Sequence, residues 1–291
     1  MEEAKPEARG FKPRFSHLYP VILSLGITGV LGYPLLSPAV EVTPVEPFQG
    51  NTFSGASLNA LYFVAALGIS ATLMLFLVRS GKLGVLRRLV KVAVVIVCFT
   101  VALWYSGVVF SLLGLSLDDA ITFDILLAES LAVALVLGFL VFGRGKTRQL
   151  AGVVLLSALT GVFLGRNIDP LTALVLAGAL VVYDIVAVFR GPVGALARTI
   201  DVGDLPGAMF NYQELTIGMG DMVFYSLLAM TALYAFGVAS FLGAGLGIVA
   251  GTFLGFKALQ RFEMFPGLPF SLLLGIAGLF AGGLLTGNIS L

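Results

Sequence analysis

LTALVLAGALVVYDIVAVF, Leu171 to Phe189, carries one acid, Asp184, inside a run otherwise long and apolar enough to cross a bilayer. A helix rising 1.5 Å per residue needs about 20 apolar residues to traverse about 30 Å of hydrocarbon. An ionised carboxylate in such a run is expensive and needs a reason to be there. LTIGMGDMVFYSLL, Leu215 to Leu228, repeats the pattern with Asp221. The cost argument holds only where the solvent is lipid. Composition supports that: 58% hydrophobic residues, 11% charged, and a mean hydropathy of +1.03 over 291 residues.

Working outward from these two stretches, apolar runs recur from end to end without strand-barrel alternation. In lipid every backbone amide must be satisfied within a helix or a closed barrel, so the chain reads as an all-α polytopic bundle. Nine spans are expected: Leu18 to Leu36, Ser57 to Val78, Val92 to Leu115, Ile125 to Phe142, Leu150 to Leu164, Leu171 to Phe189, Gly218 to Ala239, Phe241 to Leu259, and Pro266 to Leu285. The fifth is short for a full crossing. Only a glycine-rich stretch around Gly237, Gly243, Gly245 and Gly247 separates the seventh from the eighth. Spans 1–5 (residues 1–164) and spans 6–9 (residues 165–291) are expected to form one integrated membrane domain, with the two aspartates in the second part.

Cations concentrate in cytoplasmic loops, and here they alternate. Lys5, Arg9, Lys12 and Arg14 precede the first span; Arg79, Lys82, Arg87, Arg88 and Lys91 follow the second; Arg144, Lys146 and Arg148 follow the fourth. Arg190 and Arg198 follow the sixth, and Lys257 and Arg261 the eighth. The opposite side holds Arg166 alone, with Glu41, Glu46, Asp118, Asp119 and Asp124, so sixteen of seventeen cations share one side. This predicts a cytoplasmic N-terminus and an external C-terminus. Fusing the seventh and eighth spans would put Lys257 and Arg261 outside, which favours nine spans over eight.

The first apolar run contains Pro20 and Pro34, lacks a small-residue cleavage site and follows a basic arm, so it reads as a retained span rather than a signal peptide. A lone cysteine, Cys98, excludes an intrachain disulfide, and neither metal-ligand spacing nor a phosphate-cradling glycine loop is present. No metal or other cofactor is expected. A net charge of +1 gives no sign of a nucleic-acid partner.

Asp184 lies six residues before Arg190, about 9 Å from the cytoplasmic edge by helical rise. Asp221 lies seven residues after Glu214, at a comparable depth if that segment is helical. Their side chains are thus expected to meet. Two carboxyls in a weakly hydrated site favour one shared proton, titrating as a pair. Such a pair suits peptide hydrolysis: the ionised member takes a proton from attacking water while the protonated member hydrogen-bonds the scissile carbonyl.

Gly218 and Gly220 leave the backbone beside Asp221 uncovered for close approach by another chain. Tyr183 either donates a hydrogen bond near the pair or belongs to an aromatic interface belt. At the start of the ninth span, Phe265-Pro266-Gly267-Leu268-Pro269 forbids regular helical bonding and predicts an irregular turn at the depth of the aspartates.

Together YDIVAVF around Asp184, GMGD around Asp221 and PGLP at Pro266 to Pro269 resemble the YD, GxGD and PALP signatures of the presenilin and signal-peptide-peptidase intramembrane aspartyl proteases. The likeness in order and spacing extends over nearly the whole chain. GMGDMVFYS, Gly218 to Ser226, is similar to presenilin in particular, as is a cytoplasmic N-terminus. The compact, loop-poor chain looks like a microbial homologue in a cell membrane. The resemblance implies Asp184 and Asp221 as the catalytic pair. It also implies site-shaping or substrate-binding roles for Tyr183, Gly218, Met219, Gly220, Pro266, Gly267 and Leu268. Two departures stand out: Gly267 replaces the alanine of PALP, and Met219 fills the variable position of GxGD. The loop from about Arg190 to Thr216 is short beside the long, cut loop of eukaryotic presenilins. Accessory subunits are not expected to be required.

The implied partners are the lipid bilayer and single-span membrane substrates, unwound locally and paired edge-on with a strand-like segment near Gly218 or Pro266. Water is expected to arrive beneath the loop holding Asp201, Asp204 and Glu214, whose acids read as solvent-facing. Glu129, four residues into the fourth span, is expected to snorkel. His17 reads as an interface residue, Trp104 and Cys98 as packing residues, and Asn59 as an interhelical hydrogen-bonder. The competing class is a proton- or cation-coupled transporter or leak channel using the same aspartates. Nine spans without visible inverted repeats weaken it.

Overall fold

The structure, a computed structural model, describes residues 12–38, 40, 42, 44–115, 120–143, 145–191, 209–260 and 265–287. Among them are nine helical segments long and apolar enough to span a membrane, so the chain is a multi-pass integral membrane protein. The first runs Phe15–Leu36 and the seventh Met219–Phe236. Their α-helical parts are α1 (Tyr19–Gly32), α2 (Phe53–Arg79), α3 (Leu83–Leu112), α4 (Ala120–Val141), α5 (Lys146–Asn167), α6 (Pro170–Phe189), α7 (Met219–Thr231), α8 (Val238–Ala258) and α9 (Leu268–Thr286). Short 3-10 turns, Phe15–Leu18 and Tyr33–Leu36, flank α1, and a π-helical turn, Ala232–Phe236, continues α7. Lys5, Arg9, Glu41, Asp118, Asp119, Arg144, Arg198, Asp201, Asp204 and Arg261 lie outside the described residues.

Helix ends differ from the expected spans because hydropathy measures lipid solubility, whereas helices continue through polar turns. The fifth span, expected to be short, is a full 22-residue helix. It begins at Lys146, with Arg148 held over the Phe139 ring at 4.5 Å. α3 likewise takes in Arg87, Arg88 and Lys91, residue types with good helix propensity. The break between the seventh and eighth spans falls at Gly237 rather than near Ala239. Its φ of 88° and ψ of −178° belong to a region essentially reserved for glycine, so one residue reverses the chain.

α7 lies at the centre, with 67% of its spanning window buried against 6% for α2. A cluster of Leu176, Leu180, Leu228, Ile248, Leu272 and Leu279 joins α6, α7, α8 and α9, with Val21 of α1 and Ala60 of α2 packed into it. α8 and α9 meet along a seam of glycines. A Cβ on Gly243, Gly247 or Gly251 would collide with the carbonyls of Gly278, Leu274 or Phe270. The backbones therefore approach as small residues in membranes permit.

Asn59 is wholly buried and bonds between helices, as expected. Its amide accepts the Phe48 N–H at 3.0 Å and donates to the Phe48 carbonyl at 3.0 Å and to Thr172 of α6 at 3.4 Å. It also donates to Glu46, which accepts from the Asp169 amide as well, so the α1–α2 connection is fastened to the start of α6. His17 is 2% exposed rather than interfacial: the 3-10 turn tucks it edge-on to Phe256 of α8. Cys98 packs in the apolar cluster of α3, α4 and α5, and Trp104 lies edge-on to Phe163. Glu129 is exposed and is the tenth residue of α4, deeper along the helix than the expected boundary placed it.

Candidate active site

The segment before α7 is not helical. Met209–Tyr212 and Leu215–Gly218 form an antiparallel hairpin, β1 and β2, in the register Met209↔Gly218 to Tyr212↔Leu215. Gln213 takes the turn with φ 56°, and Ser16 donates to its side chain at 3.2 Å. Glu214 therefore lies in the turn, and the depth of Asp221 cannot be counted from it by helical rise. β2 runs straight into α7, with Gly218 as N-cap and Asp221 in the first turn. That position suits a carboxylate, because first-turn amides are unpaired and the helix dipole is positive there.

Asp184 projects from the last third of α6, five residues before its end at Phe189. Both aspartates are half-buried, and they stand near enough for their charges to interact. What joins them is the turn at the start of α9. The Leu268 N–H donates to Asp184 Oδ2 at 2.9 Å, a free amide of the α9 N-terminus spent on a carboxylate. On the other side, a Cβ built on Gly267 would stand 2.6 Å from Asp221 Oδ2. The residue that departs from PALP is thus the one against which Asp221 rests.

The other expected site residues fall into place unevenly. Pro266 and Leu268 are buried in the turn, with Phe265 stacked on Phe270 at 5.4 Å. A Cβ on Gly218 would make ordinary contact with the Asp221 carboxyl at 3.9 Å, and one on Gly220 would meet nothing within 4 Å. Neither glycine has a positive φ, so what they provide is open space beside Asp221. The Met219 side chain packs against apolar clusters on the α3–α5 side, and its carbonyl accepts from Ser157 at 3.4 Å. The Tyr183 ring is the neighbour a Cβ on Gly68 of α2 would touch, at 3.8 Å.

Three hydroxyls to which the sequence assigned no role join the site. Tyr225, one helical turn after Asp221, donates to the Gly267 carbonyl at 3.0 Å. Ser271 donates to the same carbonyl at 3.0 Å and lies 3.1 Å from Thr252 Oγ1. The i, i+4 spacing of Asp221 and Tyr225 was the available signal, since it puts both on one face of α7. A cavity of about 120 Å³ opens beside Asp221, bounded by Leu215, Thr216 and Ile217 of β2, Phe256 of α8, and Phe265 to Gly267.

Neither a protein-family model nor a curated protein matches the chain. Solved structures do. One of a presenilin family intramembrane aspartate protease, in space group C222, superposes with a TM-score of 0.62 at 21% identity, covering 92% of this chain and 97% of that one. Another of a presenilin family intramembrane aspartate protease, in space group P2, gives 0.60 at 23% identity, covering 91% and 96%. The chain has the fold of these intramembrane proteases over more than nine-tenths of its length.

Proposed function

We propose that the chain is an intramembrane aspartyl endopeptidase of presenilin type, with Asp184 and Asp221 as its catalytic pair. The observation that carries this reading is the shared turn: aspartates from two helices converge on Gly267 and Leu268 at the start of a third. Like-charge repulsion between two carboxyls in a poorly hydrated site favours one shared proton. The ionised member takes a proton from water as the oxygen attacks the scissile carbonyl carbon. The protonated member donates to the carbonyl oxygen, and the tetrahedral intermediate collapses with a proton passed to the departing amine. No covalent enzyme intermediate forms.

A helical substrate offers no accessible carbonyl, because its amides are bonded internally. The substrate class is therefore a single-span helix that unwinds locally and enters extended. The edge of β2 beside the cavity supports backbone pairing, with alternate side chains directed to the apolar walls. Gly218 and Gly220 leave room for that strand. Tyr183, Met219, Pro266, Gly267 and Leu268 shape the surroundings, and spans 6–9 carry the chemistry. The cation distribution supports a cytoplasmic N-terminus, an external C-terminus and a site near the cytoplasmic face. The enzyme works without accessory subunits.

The test is reconstitution with a panel of single-span peptides and mass spectrometry of the products. Cuts within the spanning segment are expected. Proton- or cation-dependent flux without any cut would refute the reading in favour of transport.

A further inference from the structure

The Gly267 carbonyl and the Leu268 N–H are two ends of one peptide group. A trans peptide unit is planar and nearly rigid, its C=O and N–H pointing in opposite directions. Here the oxygen end accepts from Tyr225 of α7 at 3.0 Å, while the nitrogen end donates to Asp184 of α6 at 2.9 Å. Tyr225 is one turn from Asp221 on the same helix face, so this plane links the helix of one aspartate to the side chain of the other.

We infer that Tyr225 is a positioning residue: its hydroxyl fixes the Gly267–Leu268 peptide plane and thereby sets where Asp184 stands relative to Asp221. The inference rests on the protease reading. Tyr225 is 3% exposed, its hydroxyl enclosed with those of Ser271 and Thr252, and a donor on the carbonyl strengthens the N–H at the far end of the same group. Ser271, wholly buried, adds a second donor to that carbonyl, and Thr252 braces Ser271 from α8. Ser271 bonds within its own helix, as serines in membrane helices commonly do. Tyr225 alone among the three ties the plane to α7. Glycine at 267 lacks a Cβ, so the plane rotates easily unless it is held.

The variant that isolates the effect is Tyr225→Phe, which keeps the ring and removes one oxygen. In reconstituted full-length protein it should retain the wild-type thermal midpoint within a few degrees. kcat should fall roughly tenfold with KM unchanged, as loss of one buried hydrogen bond that orients a reacting group implies. Ser271→Ala should fall less, and the double variant further than the product of the two, because both donors serve one oxygen. Hydrogen exchange of the 265–270 segment needs no substrate and should accelerate in Tyr225→Phe and less so in Ser271→Ala. A Tyr225→Phe enzyme with kcat within twofold of wild type, or unchanged exchange in that segment, overturns the inference. Accelerated exchange in a protein whose wild type cleaves nothing would sink the protease reading and leave the peptide clamp standing.

Discussion

Gly267 is where a single carbon changes the geometry of the site most directly. An added Cβ would stand 2.6 Å from Asp221 Oδ2 and 3.4 Å from its carboxyl carbon, where ordinary contact begins at 3.4 Å. Gly267→Ala therefore displaces the carboxylate oxygen by about 0.8 Å. The obstacle is the tip of a side chain, so Asp221 rotates away cheaply and the fold is barely strained. The loss falls on catalysis, where misplacing a reacting group by about 1 Å costs on the order of a hundredfold. Gly267→Ala is expected to lower kcat by roughly one to two orders of magnitude with an unchanged thermal midpoint. Gly267→Val, whose branches extend further, should bring activity to background. The assay is initial-rate cleavage of one reconstituted single-span peptide, with thermal unfolding of each variant run alongside. A valine variant retaining more than about a tenth of wild-type kcat, or alanine and valine variants indistinguishable from each other, would refute the argument that Asp221 needs the space glycine leaves.

Gly237→Ala puts a Cβ on backbone at φ 88° and ψ −178° and should cost roughly 2–3 kcal/mol, read as a lower thermal midpoint without loss of activity in the surviving fold. Asn59→Leu leaves the Phe48 amide and carbonyl without their partner and takes one donor from Glu46, which keeps the Asp169 amide and the Thr172 hydroxyl. It should destabilise by about 3 kcal/mol, measured the same way, whereas Asn59→Asp should not restore the lost donor. Rate against pH should pass through a maximum: full protonation removes the base, and full ionisation removes the acid. A rate that rises monotonically across the range in which the protein stays folded would contradict a shared proton.

The nine-helix plan and the aspartate pair were legible because both depend on composition over long windows: an acid in Leu171–Phe189 stands out against its neighbours. The hairpin was legible only as a strand-like segment near Gly218; its partner strand and its turn were not. Its strands are four residues each, and its turn places Gln213 at positive φ without the Asn-Gly or Asp-Gly pair that announces a two-residue hairpin. Counting helical rise from Glu214 consequently misjudged how Asp221 is held. Ser271 and Thr252 were hidden for a different reason. A hydroxyl in an apolar helix can satisfy itself on the carbonyl four residues back, as Thr252 does on Ile248, so the residue type carries no sign of a distant partner. His17 flanks the first span, a position that suggests an interface residue, yet it is buried. The 3-10 turn around it, with its ring nitrogen accepting the Arg14 N–H, turns the side chain inward.

The central claim, that Asp184 and Asp221 act as one hydrolytic pair, is tested most directly by replacing each with asparagine in turn. Wild type, Asp184→Asn and Asp221→Asn would be reconstituted with the same single-span peptide and the products read by mass spectrometry. Cuts within the spanning segment are expected for wild type and none for either variant, with all three proteins folded. Either variant cutting at the same bonds at a wild-type rate would contradict the claim.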